Sequence, residues 1–161
     1  MASLVDTNVL VYCFDPRFPE KQRIASELLR HGLVSEEVAL PHQAILEFVA
    51  AVTRPRSDLD GAPLLPIDRA YREAEELMKQ FPILYPDEEV LVTALRGAPT
   101  YGLSWFDAHL WAYAEVHGLA EIVSEDFEHG RHYGSVRVVD PFLSAAGSVY
   151  ELPAMYDSTR S

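Results

Sequence analysis

Short apolar stretches alternate with amphipathic ones along almost the whole chain, and this alternation restricts the fold more than any other feature. Residues 3–6, 36–41 (EEVALP), 82–85 (PILY), 121–124 (EIVS) and 136–140 (VRVVD) have the length and composition of strands. Between them lie helical patterns. Residues 20–31 space Ile24, Leu28 and Leu29 on one face, and 42–53 do the same with Ala44, Ile45, Phe48, Val49 and Val52. Residues 67–80 are charged and amphipathic, 87–96 align Val90, Leu91, Ala94 and Leu95, and 105–117 align Phe106, Leu110, Tyr113 and Ala114. Strands separated by helices require right-handed crossovers. The expectation is an α/β fold with a central, mostly parallel sheet of about five strands, covered on both sides.

One domain over residues 1–142 accounts for this pattern, with 143–161 as a tail, ending in AMYDSTRS, expected to be partly ordered or disordered. The proline-rich stretch 54–68 reads as a loop within the domain. No apolar run approaches the roughly 20 residues that span a bilayer, so no membrane partner is expected. The first strand begins near residue 3, which leaves no room for a signal peptide, and the single Cys13 excludes an internal disulfide. Both favour the cytoplasm, with Cys13 as a small buried hydrophobe. The net charge of −12 argues against general adhesion to nucleic acid. It leaves room for a local basic patch, or for acids gathered around cations.

Ligands in parallel α/β sheets collect at the carboxyl ends of the strands. Asp6 closes the first strand, and Asp126 follows the EIVS strand. Two more acids stand out: Glu47 interrupts AILEFVAAV, and Asp107 opens the apolar helix SWFDAHLWAYA. Each has a local explanation. Glu47 could share a polar stripe with Gln43 and Arg54, and Asp107 could complete a capping box with Ser104. Asp126 could cap a turn, and Asp6 could form one through Thr7 and Asn8. Together, two acids at strand ends and two on flanking helices form a cluster that repels itself unless cations occupy it. Carboxylate oxygens suit Mg²⁺ or Mn²⁺, and magnesium typically sits between one or two carboxylates and substrate phosphates. Two ions roughly 3.5–4 Å apart could flank a phosphodiester undergoing hydrolysis.

Four blocks in order, VDTNVLVY, LPHQAILEFVAAVTRP, YGLSWFDAHLWAYA and IVSEDFEHG with GSVRVVDPF, cover residues 4–142. In these blocks the chain resembles PIN-domain ribonucleases, most of all the VapC-type toxins of toxin–antitoxin pairs. The resemblance implies a PIN-like three-layer α/β/α fold. It implies an Mg²⁺- or Mn²⁺-dependent endoribonuclease, with one or two ions per site, that cleaves single-stranded or structured RNA and leaves 5′-phosphate and 3′-hydroxyl ends. The family's catalytic and metal-binding acids fall on Asp6, Glu47, Asp107 and Asp126, and its supporting polar residues on Asn8 and Ser124. It also implies a homodimer and a VapB-like antitoxin partner that blocks the site, often with a basic side chain. His129 stands where relatives often carry an acid, which leaves its effect on metal binding open.

Arg54 and Arg56, after the Glu47 helix, and Arg131, after the Asp126 turn, could grip RNA phosphates. The histidines form no metal set: His129 and His132 read as a solvated loop pair, and His109 points away from Asp107. Trp105, Trp111 and Tyr113 read as packing or dimer-contact residues. No GxGxxG or Walker loop and no serine elbow occurs. A phosphatase using Asp6 as nucleophile would want a second acid two residues on, where Asn8 stands. A non-catalytic PIN-like binding module would be expected to have lost one of the four acids, and all four are present. A housekeeping PIN nuclease remains the other alternative to a toxin.

Overall fold

The structure, a computed structural model, describes residues 2–143. In chain order it contains β1 (Ser3–Val5), α1 (Thr7–Tyr12), α2 (Pro19–Ser35), β2 (Val38–Pro41), α3 (His42–Thr53) and a 3₁₀ turn at Ser57–Leu59. Then follow α4 (Ile67–Gln80), β3 (Ile83–Leu84), α5 (Glu88–Tyr101), α6 (Trp105–Val116), β4 (Glu121–Val123), β5 (His132–Tyr133) and β6 (Val136–Val139). The strands form one sheet in the order β3-β2-β1-β4-β6-β5. Its pairs are parallel except β5 with β6.

The sheet is buried on both faces because successive residues of the central strands point to opposite layers. Val5 and Val123 pack into the layer of α1, α2, α3 and α4, around Leu28, Phe48 and Leu77. Leu4 and Ile122 pack into the layer of α5 and α6, around Ala94, Ala108 and Trp111. The three layers are those expected from the alternation. The α5–α6 contact is close: a Cβ built at Gly97 would run into the six-membered ring of Trp111. The Trp111 indole N–H donates to the Tyr133 carbonyl at 2.8 Å, which ties α6 to β5.

Two elements were not expected. Residues 7–12 form a short helix where the sequence suggested only a turn, with Asp6 as its N-cap. Six residues are too few to display a helical period. The sixth strand, β5, is two residues long and forms a hairpin with β6 through Gly134, whose φ of +60° suits glycine. Boundaries also move, with α2 running on to Ser35 past its expected end at residue 31. Glu36 adopts a left-handed conformation that ends α2, so β2 begins at Val38 rather than at residue 36. Helix α5 runs past residue 96 and through Pro99 to Tyr101. The tail from residue 144 onward lies outside the described residues.

Candidate functional site

Parallel strands β1, β4 and β6 end together, and their ends set the first two acids side by side. The Asp6 N–H donates to the Val123 carbonyl at 3.0 Å, and the Ser124 N–H to the Val139 carbonyl at 3.0 Å. Asp6 is buried, 6% exposed, at the junction of β1 and α1. One carboxylate oxygen, Oδ1, accepts from the Thr7 N–H at 2.6 Å. The other, Oδ2, accepts from the Ser124 hydroxyl at 2.6 Å and from the Asn8 amide at 3.3 Å. The same Ser124 oxygen accepts the Asp126 N–H at 3.0 Å and the Asn8 amide at 3.2 Å. Ser124 thus links the acid of the first strand to the acid beyond the fourth.

Helix α3 delivers Glu47 from the neighbouring crossover. Its Oε2 accepts from the Thr7 hydroxyl at 2.9 Å, and its Oε1 from the Gln43 amide at 2.9 Å. Asp107 comes from the opposite layer, in the first turn of α6. Its N–H donates to the Ser104 hydroxyl at 3.2 Å, so the helix cap does form. The carboxyl nevertheless senses the site, because the charges of Asp126 and Glu47 both raise its pKa after the larger effect of burial. The local explanation for Asp107 and the functional one therefore coexist.

Electrostatics bind the four acids into one group. Burial pushes the Asp6 carboxyl from 3.8 up to about 7, against the lowering effect of the Ser124 and Thr7 hydrogen bonds. The negative charges of Asp126 and Glu47 raise it further. Such a group is costly without a compensating charge.

These residues suit a hard divalent cation in their donor chemistry. The carboxylates supply oxygen ligands, and the buried Asn8 Oδ1 has no hydrogen-bond partner. The Asp6 carboxylate dictates how that amide turns, since only its NH₂ can face the acid. Among the described residues, no group of three or more His, Cys, Asp and Glu side chains is close enough to hold a metal ion.

Beside the acids opens a cleft of about 440 Å³, whose lining includes Thr7, Asn8, Glu47, Asp126, Tyr12, Phe18, Arg17 and Arg54. Arg56 also lines it, but its Nη2 donates to the Ala51 carbonyl at 3.0 Å. Arg17 is held by Asp15 at 2.7 Å and by Asp58 at 2.6 Å. Arg54 is exposed, and among the described residues its side chain has no ion pair or hydrogen bond. Arg131 is not part of the lining; it pairs with Glu128 and lies over the Tyr133 ring. His129 accepts the Asp140 N–H at 3.1 Å through Nδ1.

Sequence reading missed the wall behind Asp126. Lys21 donates to Glu125 at 2.8 Å and to the Tyr12 hydroxyl at 3.2 Å, and that hydroxyl donates to Glu125 at 2.6 Å. Lys21 and Glu125 are 104 residues apart, and neither interrupts an apolar pattern.

A family model described as PIN domain matches residues 3–134. The chain belongs to the PIN domain family. Solved structures share the PIN fold at low identity. A toxin–antitoxin complex from Klebsiella pneumoniae matches at 17% identity and a TM-score of 0.61, over 87% of this chain and 98% of that one. FitAcB from Neisseria gonorrhoeae matches at 23% and 0.57, over 88% and 99%. Mycobacterium tuberculosis VapC20, a sarcin–ricin loop cleaving toxin, matches at 16% and 0.54, over 94% and 100%. No curated protein matches the chain. No helix of the PIN domain is long and apolar enough to cross a membrane among the described residues.

Proposed function

We propose that this PIN domain is a divalent-cation-dependent endoribonuclease, acting on single-stranded or structured RNA as the toxin of a toxin–antitoxin pair. The observation that carries the catalytic reading is the convergence of Asp6, Glu47, Asp107 and Asp126, with Asp6 buried and its carboxyl lifted to about 7. The toxin reading rests on fold likeness to a toxin–antitoxin complex and to a toxin that cleaves the sarcin–ricin loop. It brings with it a VapB-like antitoxin partner and a homodimer.

In this reading Asp6, Glu47, Asp107 and Asp126 hold one or two Mg²⁺ or Mn²⁺ ions, with Asn8 Oδ1 available as a neutral ligand. A bound cation supplies electrophilic stabilisation of the scissile phosphate and of the leaving oxygen. The residues themselves do the rest. Ser124 and Thr7 fix the two oxygens of Asp6, so that one carboxylate orientation faces the substrate. An ionised carboxylate takes the proton from the attacking water. Arg54, uncommitted at the mouth of the cleft, grips a flanking phosphate.

The deciding experiment incubates purified, antitoxin-free protein with RNA and either Mg²⁺, Mn²⁺ or a chelator. Cleavage is expected with either cation and absent with the chelator; intact RNA under every cation would overturn the reading. In the same assay Arg54→Ala is expected to raise KM for RNA by about 5- to 20-fold, the loss of one charge-assisted phosphate contact. Its kcat should move by less than about twofold. Arg131→Ala, outside the cleft lining, should leave KM near the wild-type value.

A further inference from the structure

Glu47 and Asp107 approach the group of acids from opposite sides of the sheet, Glu47 lining the cleft. Helix α3 packs in the layer with Val5 and Leu28, whereas α6 packs in the layer with Leu4 and Ile122. No strand joins these two helices, so the spacing between their acids must be set at the sheet edge.

One residue spans that gap. The Gln43 amide donates to Glu47 Oε1 at 2.9 Å and to the Phe106 carbonyl at 3.2 Å, one residue before Asp107. Among the described residues, this bond from Gln43 joins α3 to α6. Glu47 has its other oxygen fixed by Thr7 at 2.9 Å. Both donors to Glu47 are neutral, so they orient the carboxylate without cancelling its charge.

We propose that Gln43 is a positioning residue that sets the orientation of Glu47 and its spacing from Asp107 across the sheet edge. It touches neither substrate nor cation. It acts through both acids at once, from a position one helical turn before Glu47. This inference rests on the nuclease reading of the same site. Partners of this kind, which aim the ligands themselves, commonly govern metal affinity by about 10- to 100-fold.

The test is Gln43→Met, which keeps the side-chain length and the helix propensity of α3 but removes both amide bonds. Mn²⁺ binding is measured by calorimetry for wild type and variant, beside steady-state RNA cleavage and a thermal melt. A folded variant with an Mn²⁺ dissociation constant at least about 10-fold higher and a comparable fall in kcat is expected. KM for RNA should stay within about twofold. A folded variant with wild-type Mn²⁺ affinity, or one whose only change is in KM, overturns the proposal while leaving the nuclease reading intact. Wild-type protein that binds no Mn²⁺ overturns both. Should Gln43→Met fail to fold, Gln43→Ala provides the second variant: it removes the same two amide bonds without adding a charge, so weakened Mn²⁺ binding with unchanged KM supports the role and unchanged binding refutes it.

Discussion

Asp6→Asn should abolish RNA cleavage and yet make the cation-free protein more stable at alkaline pH. Both effects follow from the burial of a single carboxyl. In the fold it titrates at about 7, against 3.8 for an ordinary aspartate. Between those values the folded protein keeps a proton that the unfolded chain has released, so stability falls as pH rises, and the loss is complete above pH 7. That span corresponds to about 4 kcal/mol. Asparagine escapes the penalty at every pH. It also has one acceptor oxygen where Asp6 uses two, for Thr7 and for Ser124, and losing one such bond costs about 1–2 kcal/mol. The variant should therefore be no more stable than wild type at pH 4 and about 2 kcal/mol more stable at pH 8. Urea denaturation with a chelator present measures both points. Cleavage should fall by at least ~10²-fold, the usual range for losing a group that handles the reacting proton. A stability difference that is the same at both pH values would sink the account of Asp6, as would retained cleavage.

The four acids were legible in the sequence because each one breaks a pattern. Asp6 ends an apolar strand, Glu47 and Asp107 sit in apolar helices, and Asp126 follows a buried strand. A charge in such a place needs a reason, and four of them suggest a shared one. The boundaries of α3 and α4 were legible too, since each follows a proline and carries a clear apolar face. Gln43, Lys21 and Glu125 broke no pattern, because a polar residue on a half-exposed helix face looks like any other surface residue. Their meaning comes from partners 63 and 104 residues away. Arg131 lies outside the cleft lining. It follows Asp126 closely in sequence, but Gly130, with a φ of +79°, turns the chain, and its side chain lies over Tyr133. The basic groups of the cleft could be counted in the sequence but not sorted. Only the structure separates Arg17 and Arg56, already committed to protein acceptors, from the free Arg54.

Mg²⁺ or Mn²⁺ should stabilise the protein far more at pH 8 than at pH 5. The ion binds carboxylates in their charged form, and at pH 5 the Asp6 carboxyl, with a pKa of about 7, still holds its proton. The Asp107 carboxyl is raised as well, by burial and then by Asp126 and Glu47. At pH 5 the ion must displace at least the Asp6 proton, which weakens its binding about 100-fold. At pH 8 the Asp6 carboxyl is charged beside Asp126 and Glu47, so the ion relieves a penalty that is already present. An ion at about 100 times its dissociation constant contributes about 2.7 kcal/mol. In a domain of this size that corresponds to a rise in Tm of roughly 5–10 °C. At pH 5 the rise should be at most a degree or two. In Asp6→Asn, stable without the ion at pH 8, most of the pH 8 rise should disappear. Thermal melts with and without 10-fold steps of Mn²⁺ at the two pH values measure this directly. An equal rise at both pH values would mean that the ion binds outside the buried acids, and the site would then lie elsewhere on the domain.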